Sequence, residues 1–170
     1  MCCRVRVRPR ADDCPVGRIH FVALTVSSRR AYRDGAAFGV GWHARLHSPL
    51  ALDDESEPEP DVAMVPGAEL DYVDAHPATA PLIVEVADSS LRLDRRFKAG
   101  LYARAGLPEY WIVNLLDGTL EVHREPVPVP DSAFGARDVS VETLRPPAVV
   151  SPLAVSHVAI AVAELVRAAR

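Results

Sequence analysis

The chain has 170 residues, which suits one domain, and nearly half of them are apolar, enough to bury a sizeable core. A net charge of −4 excludes a broadly basic nucleic-acid binder, so any nucleic-acid partner must be held by a local patch or a metal. The longest mostly apolar stretch, Leu153 to Val166, is too short to span a bilayer and is interrupted by Ser156, His157 and Glu164, so no membrane is expected.

Residues 1–17 read as an Arg-rich lead-in. Arg4, Arg6, Arg8 and Arg10 alternate with Val5, Val7 and Pro9, and a poorly ordered arm is favoured over a basic edge strand. The start has no apolar h-region, so no targeting segment is expected. Cys2, Cys3 and Cys14 are odd in number and contain no CxxC pair. Neither a disulfide framework nor a zinc site with His20 is favoured, and reduced thiols in a cytoplasm are the plain reading.

Residues 18–170 are expected to form a single domain. His20 to Tyr32 can form a helix, weakened by Val22, Thr25 and Val26. Phe38 to Leu46 looks extended. Residues 53–61, DDESEPEPD, hold six acids and two prolines in nine positions and predict an exposed loop. VAMV, residues 62–65, is a short strand ended by Pro66-Gly67. LIVEVA, residues 82–87, is a buried strand carrying one glutamate.

A helix follows, capped by Ser89 or Ser90 and stopped by Gly106 and Pro108, with Leu93, Phe97, Leu101 and Ala105 as its core stripe. Glu109 to Leu115 is a strand, Asp117-Gly118 a hairpin turn, and Thr119 to His123 the return strand. Residues 125–137 read as a Pro-rich loop, and a terminal helix spans roughly 161–169. The order of elements predicts an α/β (α+β) fold, a mixed β-sheet flanked by helices.

Three side chains carry the chemistry. Glu85 shares a strand face with Ile83 and Ala87, and a carboxylate buried there costs several kcal/mol unless it is paired or binds a cation. A salt bridge to Arg95 or Arg104 would satisfy it, and so would a metal. Asp61 opens its strand beside an acidic loop. It is either a solvated aspartate or, with Glu85, half of a carboxylate pair that shares a hard cation such as Mg²⁺.

Lys98 is the only lysine in the chain, against 18 arginines. It lies in a stripe with Asp94 and Tyr102 at spacing four, beside the core stripe. It forms either an exposed pair with Asp94 or a bridge to the strand of Glu85. Taken together, the three residues suit phosphodiester hydrolysis. Asp61 and Glu85 would hold a divalent ion, and Lys98 would orient water or stabilise developing charge. Tyr102 could bond a phosphate oxygen, and Arg92, Arg95 and Arg96 could contact phosphates along a nucleic-acid strand.

SEPEPDVAMV and LIVEVADSSLRLDRRFKAGLYARAGLPEYWIVN resemble the bacterial Uma-two family of restriction-endonuclease-like proteins, part of the PD-(D/E)XK superfamily. The shared pattern is Pro60-Asp61, Glu85, Asp94-Arg95 with Lys98 and Tyr102, and Gly106 with Glu109-Tyr110-Trp111. It is specific over residues 49–124 and weaker towards the C-terminus. The superfamily lysine usually lies two residues after the acid, where this chain has Ala87.

The resemblance implies a restriction-endonuclease-like core with Asp61, Glu85 and Lys98 catalytic. Asp61, Glu85 and the Val86 carbonyl would bind Mg²⁺ or Mn²⁺, supported by Asp94 and Tyr102. The expected activity is a metal-dependent DNA endonuclease, with DNA as partner and a homodimer left open. A catalytically degenerate nuclease-fold module that binds nucleic acid is the alternative, and a structural partner protein the third reading. Residues 1–17 show no counterpart of the family's acidic N-terminal segment and are expected to contribute no metal ligand, despite Asp12 and Asp13.

Overall fold

A computed structural model of the chain describes Phe38 and residues 41–54 and 56–166. The lead-in, its cysteines, Asp12, Asp13 and the expected helix from His20 to Tyr32 lie outside the described residues. Among the described residues no helix is long and apolar enough to cross a membrane.

The core is a six-stranded mixed sheet with strands in sequence order: β1 (Trp42–Leu46), β2 (Val62–Pro66), β3 (Leu82–Ala87), β4 (Glu109–Asn114), β5 (Thr119–Pro128) and β6 (Ala136–Leu144). All neighbours are antiparallel except β3 and β4, which run parallel. A parallel pair needs a crossover, and the predicted helix supplies it. The helix runs through α1 (Leu91–Leu93), a π-helical stretch (Asp94–Lys98) and α2 (Ala99–Arg104). Every residue of β3 and β4 is buried, as expected of central strands covered on both faces. The chain then forms the short pair β7 (Val149–Val150) and β8 (Ile160–Ala161), and ends its described part in α3 (Val162–Val166).

Alternation along the strands creates two cores. Val62, Met64, Leu82, Val84, Trp111, Val113 and Val122 line one face, covered by Val155, Ile160, Val162 and Leu165 from the C-terminal segment. Ala63, Val65, Ile83, Ala87, Tyr110 and Ile112 line the other, where Leu50, Ala99, Tyr102 and Leu107 pack. Glu85 shares this second face with Ile83 and Ala87, so it points at the helix.

The helix departs from expectation in which side it buries. Leu93 is exposed and Phe97 only half-buried, whereas Asp94 and Tyr102 are almost fully buried. The stripe that faces the sheet is the polar one, because it meets a sheet face that carries Glu85. Phe97 instead meets the Phe134 ring edge-on, with centroids 5.1 Å apart. The loop carrying Phe134 crosses the helix so closely that a Cβ on Gly100 would lie 2.7 Å from Phe134 Cγ. Ser90 does stand at the helix start, but its hydroxyl bonds the Asp94 carboxylate and no backbone amide. Gly106, at φ 69°, ends the helix, and the Leu107 amide bonds the Tyr102 carbonyl at 3.1 Å, a Schellman-type cap.

The Pro-rich loop expected at 125–137 is also shorter than predicted. β5 runs through Pro126 and Pro128, and β6 begins at Ala136. Pairing of β5 with β4 stops at Arg124. Beyond that point β5 has β6 on one side only, and two prolines spaced by two can both turn their missing N–H groups to the open side.

One buried acid joins the sheet to its C-terminal cover. Glu109 is fully buried. Its Oε1 accepts Trp111 Nε1–H at 2.9 Å and Arg124 Nε–H at 2.9 Å, and its Oε2 accepts the Leu153 amide at 2.7 Å. Arg124 also donates to the Ser151 carbonyl at 2.7 Å. Removing this carboxylate strands a guanidinium, a buried indole N–H and the part-buried Leu153 amide, a loss on the order of 3–5 kcal/mol. Urea unfolding followed by tryptophan fluorescence should therefore show Glu109→Ala destabilised by about 3 kcal/mol or more. A change below about 1 kcal/mol would show that the C-terminal segment is held by apolar packing alone.

Candidate active site

The site forms where β2 stops accompanying β3. Their ladder ends at the pair Val62 and Val84, so Asp61 stands beside the unpaired edge of Glu85 and Val86. The Val86 amide, left without a strand carbonyl, donates to Asp61 Oδ2 at 2.8 Å. The Asp61 amide in turn points at Glu85 Oε2, 3.4 Å away. The strand-start aspartate is therefore built into the sheet edge and is not merely solvated.

Glu85 is 1% exposed. Neither Arg95 nor Arg104 satisfies it. Lys98 does, with its ammonium 2.7 Å from Glu85 Oε2 and 3.2 Å from Asp94 Oδ1. Tyr102 donates to the other oxygen, Oε1, at 2.9 Å. Asp94 is held from its second oxygen by Ser90 Oγ at 2.6 Å, while its Oδ1 makes no hydrogen bond and faces only the Lys98 ammonium. The Asp94–Lys98 pair exists, but buried within the site and not on the surface. Asp61, Glu85, Asp94, Lys98 and Tyr102 thus meet at one place.

Three carboxylates and one ammonium do not balance. Burial pushes the Glu85 carboxyl up to about 8, with the Lys98 charge only partly offsetting it and Asp61 and Asp94 adding to it. Burial also raises Asp61, against the Val86 hydrogen bond and the Lys98 charge. For Lys98, burial opposes the charge, but Glu85 and Asp94 outweigh it and hold the amine above its ordinary range. Tyr102 lies well above the ordinary tyrosine value through burial and the adjacent Glu85, so its hydroxyl stays a donor.

Not every expected contact survives. Tyr102 is buried and committed to Glu85, which removes it as a phosphate contact. Arg95 forks onto Glu121 of β5, with Nε 2.9 Å from Oε2, so it ties the helix to the sheet while its side chain stays 46% exposed. Glu121 is 4% exposed and needs that cation. Arg92 and Arg96 are exposed on the helix, and Arg104 bonds Asp53 at 2.8 Å. The Val86 carbonyl belongs to a residue whose N–H already leaves the strand on the Asp61 side, and in an extended strand both groups leave by the same edge.

Two neighbours escaped the sequence reading. His47 lies with Nδ1 3.6 Å from Asp61 Oδ1, and Ser90 orients Asp94. No sequence signal ties His47 to a residue fourteen positions away. The Glu121 partnership was legible in principle, since Thr119, Glu121 and His123 alternate with Leu120 and Val122. Among the described residues, no group of three or more His, Cys, Asp or Glu side chains could hold a metal ion.

The raised Glu85 has a thermodynamic consequence. Its carboxyl holds a proton in the fold up to about 8 but releases it near 4.5 when unfolded, so the native state binds more protons between these values. Its contribution to stability is full below 4.5 and is lost as pH rises through about 8. In metal-free buffer, urea unfolding should show the protein losing a few kcal/mol more than Glu85→Gln between about pH 5 and pH 8. Parallel profiles for the two proteins would contradict the protonated Glu85.

Comparison with known proteins places this geometry in context. A structure titled as that of a putative nuclease from Anabaena variabilis superposes with a TM-score of 0.58 at 13% identity, covering 91% of this chain and 80% of that one. At this identity the likeness shows the fold alone, which in this chain is a mixed sheet flanked by a helix. No curated protein matches the chain. A family model described as "Putative restriction endonuclease" matches residues 23–156, a span that contains every residue of the site just described, and the chain therefore belongs to this family, Uma2.

Proposed function

We propose that this protein is a metal-dependent endonuclease that hydrolyses DNA phosphodiester bonds. The observation that carries the reading is the meeting of Asp61, Glu85 and Lys98 at the β2–β3 edge, with three carboxylates around one ammonium. With all four groups ionised the cluster has a net charge of −2, which a divalent cation would neutralise.

The donor set suits a hard ion such as Mg²⁺ or Mn²⁺. Such ions are commonly held by one or two carboxylates, with waters and substrate phosphates completing the shell, so a three-residue cage is not required. Asp61, Glu85 and the Val86 carbonyl would hold it, and when bound it would supply charge neutralisation and a water of lowered pKa. Asp61 is fixed for this task by the Val86 amide, which leaves its Oδ1 outward. Lys98 stays cationic beside Glu85 and would stabilise charge that develops on the phosphate. Asp94, bonded by Ser90, and Tyr102, bonded to Glu85, act as positioning residues for Lys98 and Glu85. The exposed Arg92 and Arg96 would meet the DNA backbone.

A second reading also has an observation behind it. Lys98 and Tyr102 already occupy both oxygens of Glu85, an arrangement that also suits a catalytically degenerate relative that binds nucleic acid through the same fold.

Nicking of supercoiled plasmid and calorimetry with Mg²⁺ and Mn²⁺ separate the two. Asp61→Ala and Glu85→Ala should abolish both ion binding and cleavage. Lys98→Met should keep ion affinity within about threefold and lose cleavage by about a hundredfold or more, since an ammonium stabilises charge but cannot ligate a cation. Equal nicking by Lys98→Met and the parent would refute its catalytic role. Ion binding without cleavage in the parent would favour the second reading.

A further inference from the structure

The least expected neighbour of the site is His47. It follows β1 directly and adopts φ 45°, in the left-handed region that non-glycine residues seldom enter. Such backbone conformations persist only where the surroundings hold them, and they gather at functional sites. Here the His47 amide donates to the Asp61 carbonyl at 3.3 Å, and Ser48 Oγ bonds the Leu46 carbonyl at 2.9 Å. The turn brings the imidazole over Asp61, with Nδ1 3.6 Å from Oδ1.

That oxygen is the one Asp61 has left over, since Oδ2 accepts the Val86 amide at 2.8 Å. The separation from Nδ1 exceeds a good hydrogen bond. It is close to the span of about 3.0 to 3.4 Å between two adjacent ligands each about 2.1 Å from one ion. The His47 side chain is 40% exposed, open to an ion arriving from solvent, while Asp61 is 13% exposed.

We propose that His47 Nδ1 and Asp61 Oδ1 ligate the same divalent ion, which makes the site selective for a transition ion of the Mn²⁺ type over Mg²⁺. An imidazole nitrogen is a softer donor than a carboxylate or water, and a mixed nitrogen–oxygen set shifts preference from Mg²⁺ towards first-row transition ions. The inference rests on the divalent-ion site proposed above: His47 and Asp61 stand at ligand spacing as they are, whereas Glu85 would have to turn from Lys98 and Tyr102 to join them as a third side chain.

The test uses the full-length protein stripped of metal and loaded with Mn²⁺ alone. Pulsed electron paramagnetic resonance should show ¹⁴N modulation on the Mn²⁺ signal. The pattern should change to that of ¹⁵N in protein carrying ¹⁵N-labelled histidine, a measurement that needs no variant. The modulation should vanish in His47→Gln and persist in His76→Gln, since His76 is exposed on a separate loop. By calorimetry, His47→Gln should weaken Mn²⁺ binding about tenfold or more and Mg²⁺ binding less than about threefold. Mn²⁺ that is lost on Asp61→Ala but shows no histidine nitrogen, or a nitrogen signal unaffected by His47→Gln, would overturn the role of His47 and leave the acid pair standing. A parent protein that takes up neither ion would overturn both.

Discussion

The contact between the Lys98 amine and the Glu85 carboxyl is the one around which the rest of this structure is arranged. A glutamate at the middle of a fully buried strand must be answered, because an uncompensated charge there costs several kcal/mol. The answer comes from the crossover helix, which turns its polar stripe and not its most apolar one towards the sheet. Once Lys98 is placed, Asp94 and Tyr102 follow at helical spacing, and Ser90 and Tyr110 secure Asp94 in turn. Leu93 and Phe97 give up the sheet, and a loop carrying Phe134 comes across to cover Phe97.

The opposite face of the sheet solves a similar problem by different means. Glu109 is as buried as Glu85, yet its partners are an arginine, an indole N–H and a backbone amide, all donors fixed in place. Every lone-pair direction it uses is matched, and no other acid crowds it among those contacts. It behaves as a structural clamp on the C-terminal segment. Glu85 shares its cation with Asp94 and has Asp61 alongside, so its charge stays unsettled. Two glutamates of equal burial thus differ in character because one is balanced and the other is not.

Much of this was legible in the sequence, for reasons that can be named. The strands at 62–66, 82–87 and 109–114 are short, mostly apolar runs followed by Pro66-Gly67, by the helix start at Ser89-Ser90 and by the Asp117-Gly118 turn, so their existence depends on local pattern alone. The convergence of Asp61, Glu85 and Lys98 followed from a motif whose spacing the fold respects. Less legible was anything decided by partners distant along the chain. The helix face is not legible from hydrophobic periodicity, which ranks Leu and Phe above Asp and Lys and cannot see a glutamate waiting on the sheet. The pairing of Arg95 with Glu121 is less legible because this partner in β5 lies 26 residues away. The strand through Pro126 and Pro128 reads as a loop in the sequence, yet proline breaks a strand only where a ladder needs its N–H.

The chain's one lysine has a consequence beyond the site itself. With 18 arginines and a single ε-amine, amine-directed chemistry has Lys98 as its one side-chain target. That amine is 19% exposed, sits between two carboxylates and is held protonated, which makes it a poor nucleophile. Acylation, methylation or conjugation through lysine is therefore either excluded from this protein or strikes its centre. The arginines keep their charge through any such traffic, and an acyl group found on Lys98 would report that the helix had already come away from the sheet.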